Sequence, residues 1–274
     1  MSLERVFPAK ILLFGEYTIL NGGQALAMPL KSYGGRWNFE KKDAGLKGFY
    51  DFLKSFDFLD GEKIEHFIDK QPAFESNIPR GYGMGSSGAL TAAAYEAFRN
   101  EQVLDLGDLK RALSVMEGYF HGSSSGFDPL TSYVGKCIHH SAEGTRIVDS
   151  MPELGKLGIY DSGSSRNSGK MIEVYKSKLS SKSFQEQLNK LMALNAEAIN
   201  ALLKGDDATL KQCFFQISDL QWESYNEMIT DNLKQLWLRG LEGGEYALKL
   251  SGAGGGGTYL VYGKLASENI ESLS

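Results

Sequence analysis

The hydrophobic positions of this chain change their rhythm several times along its length. Between residues 6 and 29 they form short runs, interrupted at Gly15-Glu16 and at Asn21-Gly22-Gly23. Turn residues between apolar runs predict strands that pair antiparallel. Residues 34–40 predict another strand, and helical spacing takes over at 49–58 and 62–69. It is clearest over 86–100, where Leu90, Ala93, Ala94, Ala97 and Phe98 share one face. Apolar positions three and four apart mark a helix with one buried side, and alanine is the best helix former. A second helix is predicted over 107–120, with Leu109, Ala112, Leu113, Met116 and Phe120 as its stripe and Asp108 as its cap. Glu117 lies beside that stripe, near the last turn.

The second half alternates in the same way. Strands are predicted at 136–140 and 157–160, and a helix over 184–203 buries Leu188, Leu191, Met192 and Ile199. Asp206 or Asp207 caps a further helix running through Leu210, Phe214, Ile217 and Leu220. Strand-like runs at 246–251 and 258–262 flank a glycine-rich stretch, and no internal repeat is visible. The composition shift over 141–154, with Gly144, Pro152 and Gly155, predicts two domains, 1–150 and 151–274.

Composition narrows the classes. With 42% hydrophobic and 23% charged residues, the chain can bury a core, which excludes a disordered tail. No apolar run approaches the ~20 residues of a membrane-spanning helix. The first five residues have no apolar core after a basic patch, so no signal peptide is expected. The net charge of −5 lacks the electrostatic footprint of a nucleic-acid binder. It does not exclude a phosphorylated ligand, because backbone N–H groups bind phosphate without net positive charge. Cys137 and Cys213 are isolated, which predicts free thiols in a reducing compartment and a cytoplasmic protein.

Glycine carries the chemistry. There are 32 glycines against 6 prolines, concentrated at 81–88 and 252–257, with a smaller group at 163–169. Gly81, Tyr82, Gly83, Met84, Gly85, Ser86 and Ser87 run directly into the alanine-rich helix. Unpaired N–H groups and the positive end of a helix dipole then coincide, which makes a phosphate cradle; a merely flexible turn is the plainer alternative. The loop lacks the Gly-Lys-Ser/Thr ending of a Walker A motif and the acidic ribose partner of a Rossmann unit.

Glu117 and Asp128 are two acids separated by a small-residue loop. One can hold a hard cation such as Mg²⁺ and the other can take a proton from a hydroxyl; otherwise one is solvated and the other caps its own backbone. Four glycines at 254–257 imply close approach to a backbone or ligand, or else a hairpin tip. Lys10, at the entrance to an apolar strand, is either an edge lysine or a cation that stabilises a transferring phosphoryl group. His139 and His140 are neighbours on a strand and point to opposite faces, so they do not ligate one ion together.

Taken in order, residues 8–16, 81–87 and 249–257 resemble the three motifs of the GHMP kinase superfamily. Within it, His121-Gly122-Ser123-Ser124-Ser125-Gly126-Phe127-Asp128 is similar to the His-Gly-x-Pro-Ser-Gly-x-Asp of the mevalonate kinase family, with Glu117 four residues before the histidine. Arg166-Asn167-Ser168 is similar to that family's Asn-Thr segment near the active site. The resemblance implies an α+β, two-domain fold: an N-terminal mixed α/β domain with S5-like topology and a C-terminal ferredoxin-like α/β sandwich, with ATP near the junction. It implies transfer of the γ-phosphoryl of ATP to a small-molecule alcohol, mevalonate first among them, with Mg²⁺ as cofactor.

By the same resemblance, Asp128 and Lys10 are catalytic, Gly81 to Ser87 wrap the ATP phosphates, and Ser87 and Glu117 hold Mg²⁺. Glu16, Tyr17, Ser125, Ser168 and Gly254 are expected on the acceptor side. Partners are the alcohol substrate and a second copy in a homodimer, with neither nucleic acid nor membrane. Three departures stand out: Ser124 where the family has proline, Tyr17 where it has an acceptor-associated histidine, and a short stretch between the first two motifs. The alternatives are another acceptor (phosphomevalonate, homoserine or a sugar, with Arg36, Arg80 and Arg166 available for a second phosphate) and a metabolite-binding protein of this fold without catalysis.

Overall fold

A computed structural model describes residues 4–165 and 168–273. Its first sheet is organised around one long strand. β1 (Phe7–Phe14) runs antiparallel along one edge of β2 (Ala25–Lys42). The other edge of β2 pairs with β3 (Pro72–Ser76) near its end and with β4 (Cys137–Ser141) near its start. β5 (Gly144–Val148) pairs antiparallel with β4. The separate strand expected at 34–40 is therefore the second half of β2. Its two glycines do not break it, because they sit where neighbouring chains press closest: a Cβ on Gly34 would lie 2.6 Å from Val6 Cγ1 and 3.0 Å from the Phe7 carbonyl oxygen.

Helices α1 (Lys47–Leu53), α2 (Gly61–Lys70), α3 (Ser86–Phe98), α4 (Leu106–His121) and α5 (Phe127–Val134) accompany this sheet. α3 and α5 pack on each other and on β1 and β2. α3 is buried nearly all round from Gly88 to Phe98, rather than along the single predicted face, and Leu90 of that face is only half-buried; such burial befits a helix set inside the core. The cap of α4 is Asp105, whose side chain accepts a hydrogen bond from the Asp108 N–H at 2.8 Å. Asp108, the predicted cap, instead occupies the first turn, where its charge still suits the helix dipole. α5 was not predicted. It is eight residues long, bounded by left-handed Gly126 and Gly135, and its Pro129 is tolerated because it sits in the first turn.

The second sheet contains β6 (Leu157–Asp161), β7 (Tyr246–Leu250), β8 (Thr258–Gly263) and β9 (Ile270–Ser272), all antiparallel in the order β7-β8-β6-β9. Taken from the β9 edge in chain order, this is the 4-1-3-2 arrangement of a ferredoxin-like sheet. The helices are distributed differently from such a sandwich. α6 (Ser168–Lys178), α7 (Lys182–Lys204), α8 (Asp207–Ser224) and α9 (Asp231–Gly243) all lie between the first two strands, and residues 264–269 join β8 to β9 without a helix. α8 and α9 cover β7, while α7 packs on α8 and reaches β1 and β2. On α7, Leu188, Leu191 and Ile199 are buried as predicted and Met192 is half-buried. Asp206 caps α8, accepting from the Thr209 N–H at 3.1 Å. Every strand of the first sheet precedes residue 149, and every strand of the second follows residue 156. No helix among the described residues is long and apolar enough to cross a membrane.

Candidate active site

The first glycine cluster folds as a loop leading into α3. Gly81, Gly83 and Gly85 have φ of 79°, 74° and 74°, a region that only glycine enters without strain. Gly85 caps α3 and supplies no side chain to its N–H groups. The first N–H groups of an α-helix lack intrahelical partners, so this terminus could receive an anion. The loop is joined to β1 through a 2.9 Å hydrogen bond from the Lys10 N–H to the Met84 carbonyl. The second glycine cluster packs on the same loop from the other sheet. The Thr258 N–H and hydroxyl both donate to the Tyr82 carbonyl, at 3.3 and 3.2 Å. A Cβ on Gly257 would lie 2.5 Å from that oxygen, which explains the glycine there.

Two charged groups meet beneath this loop. Lys10 Nζ lies 2.9 Å from Asp128 Oδ1, with the lysine side chain 4% exposed and the aspartate 33%. Their approach depends on absent side chains. A Cβ at Gly88 would lie 2.9 Å from Pro129 N and 3.0 Å from the Asp128 carbonyl carbon, so α3 and α5 could not cross this closely. Asp128 itself stands in the first turn of α5, a favourable place for a carboxylate.

Glu117, near the end of α4, is 4% exposed. Its Oε1 accepts a hydrogen bond from Ser87 Oγ at 3.0 Å, and its Oε2 accepts from Ser124 Oγ at 2.5 Å. His121 Nε2 lies 3.0 Å from Ser87 Oγ. Burial, and after it the negative charge of Asp128, pushes the Glu117 carboxyl up to about 7. The hydrogen bonds from Ser124 and Ser87 and the charge of Lys10 act in the opposite direction. A carboxyl in this condition could be neutralised by a proton or by a cation. The donors Ser87 Oγ and Glu117 Oε1 are both oxygens, which suits Mg²⁺, an ion that takes few protein ligands and completes its shell with water and phosphate. No cluster of three or more His, Cys, Asp or Glu able to enclose a metal occurs among the described residues.

Glu16 and Tyr17, expected on the acceptor side, are held by contacts within the protein. Glu16 is 1% exposed, and its Oε1 lies 2.5 Å from Lys249 Nζ. Lys249 also donates to the Leu13 and Leu250 carbonyls at 2.9 and 2.8 Å. Desolvation raises the Glu16 carboxyl and lowers the Lys249 ammonium, while their mutual attraction opposes both shifts. Glu16 thus forms half of an internal clamp with Lys249. Tyr17, with φ of 61°, donates its hydroxyl to the Ala253 carbonyl at 2.5 Å and stacks on Tyr175 and Tyr225, with ring centroids 4.5 and 5.6 Å away.

Ser125, just ahead of α5, accepts from the Phe127 N–H at 3.3 Å. Gly254 is pressed against Met228, whose carbonyl oxygen would lie 2.6 Å from a Cβ there. Ser168 opens α6, but its side chain, together with Arg166 and Asn167, lies outside the described residues. His139 and His140 hydrogen-bond separately, to Gln24 and Thr145. The sequence reading gave no role to Ser124, His121 or Lys249. Ser124 was visible only as a departure from a motif, and Lys249 only as the residue opening the last one.

A family model for the GHMP kinases N terminal domain matches residues 47–136, the span that holds the glycine loop, Ser87, Glu117 and Asp128. The mevalonate kinase of Thermococcus sibiricus is 26% identical over 297 residues, covering 91% of this chain and 86% of its own. That of Methanothermobacter thermautotrophicus is 23% identical over 284 residues, covering 93% and 88%. Among solved structures, L. major mevalonate kinase in complex with R-mevalonate superposes with a TM-score of 0.63 at 19% identity, over 96% of this chain and 87% of that one. Streptococcus pneumoniae phosphomevalonate kinase in complex with phosphomevalonate and AMPPNP gives 0.67 at 17% identity, over 98% of each chain. At such identities the structural likeness speaks for the fold.

Proposed function

The chain belongs to the GHMP kinase superfamily, and on that footing we propose that it transfers the γ-phosphoryl group of ATP to the hydroxyl of mevalonate. The observation that carries this reading is the convergence of the Lys10–Asp128 pair and the Ser87–Glu117 pair at the N-terminus of α3. The choice of mevalonate is supported by the sequence relatives, which are mevalonate kinases along most of their length.

Phosphoryl transfer of this kind passes through a loose, anionic transition state, so the protein contributes mainly position and charge. The loop and helix N–H groups bind the phosphate oxygens. Ser87 and Glu117 would hold Mg²⁺, which supplies neutralising charge to the phosphates when bound. Asp128 commits one oxygen to Lys10 and is a third exposed, so it can meet an incoming alcohol. It orients the hydroxyl and accepts its proton as the bond from oxygen to the γ-phosphorus forms and the bond to the β-phosphate oxygen breaks. Lys10 offsets the charge gathering on the transferred group. ADP leaves, and the proton passes from Asp128 to solvent.

The reading is tested by ADP release with mevalonate, phosphomevalonate, homoserine and galactose as acceptors. Turnover that depends on mevalonate is the expected result, and release with a different acceptor alone refutes the assignment.

A further inference from the structure

The loop between α4 and α5 lies along one stripe of α4. Gly126 presses on the Lys110 carbonyl, Ser114 Oγ donates to the Ser124 carbonyl at 2.5 Å, and Ser124 Oγ donates to Glu117 Oε2 at 2.5 Å. Positions 110, 114 and 117 are four and three apart, so they fall on the same side of the helix. The direction of the last bond is fixed locally. Ser124 Oγ accepts from the Gly126 N–H at 2.9 Å, which leaves its single O–H to donate to the carboxylate. A glutamate carboxyl turns easily about its last torsion. With Oε2 held by Ser124, the oxygen beside Ser87 is Oε1.

Building on the proposed role of Glu117, we propose that Ser124 is a positioning residue that locks this carboxylate so that Oε1 and Ser87 Oγ are presented together to the cation. Ser124 occupies the position at which the motif it resembles has proline. This chain thus holds the turn by hydrogen bonds and gains a direct hold on the metal-binding acid. The same loop leads into α5, so the contact also sets the spacing between Glu117 and Asp128.

The test uses the full-length protein with a non-hydrolysable ATP analogue, and Mn²⁺ as a spectroscopic probe whose free concentration is read by electron paramagnetic resonance. Outer partners of metal ligands typically change metal affinity by about 10–100-fold. Ser124→Ala is expected to raise the half-saturating Mn²⁺ concentration by ~10-fold or more. In steady-state turnover its loss should fall more on half-saturating Mg²⁺ than on kcat. Ser124→Thr, which keeps the hydroxyl, should restore most of the Mn²⁺ affinity. If Ser124→Ala lowers the melting temperature with an unchanged Mn²⁺ titration, or if threonine restores nothing, the proposal fails. Glu117→Gln separates the two levels. Weakened Mn²⁺ binding there with none in Ser124→Ala overturns only the role of Ser124, whereas unchanged binding in Glu117→Gln overturns both.

Discussion

A carboxyl group held at 4% exposure beside a second carboxylate is a poor anion, and that is the condition of Glu117. Its folded-state pKa is raised from 4.5 to about 7, mainly by burial and then by Asp128. The stability associated with this group is therefore complete below pH 4.5 and is lost as pH rises through about 7. Glu117→Gln removes the ionisation. The variant should melt at higher temperature than wild type at pH 8 without divalent ions, and the difference should shrink at pH 5. Thermal denaturation at the two pH values checks this, and an equal difference at both would contradict it.

The acids themselves were legible, because Glu117, Asp128 and the glycine loop stand in a recognisable order. The hydrogen bonds that condition them were not. Ser124 and Ser87 reach the same carboxylate from positions 7 and 30 residues away, and no local pattern announces a three-way meeting.

Among the elements, α3 does most to assemble the site. Its N-terminus faces the glycine loop and its Gly88 admits α5, so one substitution tests the crossing. Gly88→Ala places a Cβ 2.9 Å from Pro129 N, a backbone atom that cannot move without the helix. Overpacking of this kind costs about 1–3 kcal/mol. Because the displaced residue is Asp128, kcat should fall by roughly 10²-fold, the scale expected for a misplacement near 1 Å. Denaturant titration and steady-state kinetics measure both effects, and full activity would show that the crossing does not position the acid.

α3 was readable from alanine content and spacing. α5 was not, because eight residues between two glycines, with a proline inside, look locally like a loop and are helical only through packing on α3 and β1. For a similar reason β2 appeared as two strands. Gly34 and Gly35 read as a break, yet they are the places where β1 and β3 press against it.

Across the whole molecule, the parts of the chain that carry the two sheets are joined by contacts that span most of its length. Thr258 bonds to Tyr82, Tyr17 to Ala253, and Lys249 to Glu16 and Leu13. The last of these is a fully buried ion pair, both side chains being 0% exposed. Removing one partner of such a pair costs about 3–5 kcal/mol, because the other charge is left stranded. Lys249→Met should show a loss of that size in denaturant titration, and adding Glu16→Gln should recover part of it. Strictly additive losses would mean that the two groups do not act as a pair. The order of the second sheet followed what the family resemblance implied. The helix distribution did not: residues 264–269, which had received no reading of their own, join β8 to β9 without a helix.

The central claim is that these distant stretches form one phosphoryl-transfer site. The most direct measurement is ADP release with Mg²⁺, ATP and mevalonate, for wild type and Asp128→Asn, alongside binding of an ATP analogue to both. The account predicts mevalonate-dependent release by wild type, a loss of about 10²-fold or more in the variant, and analogue binding retained. Wild-type turnover by Asp128→Asn would contradict it.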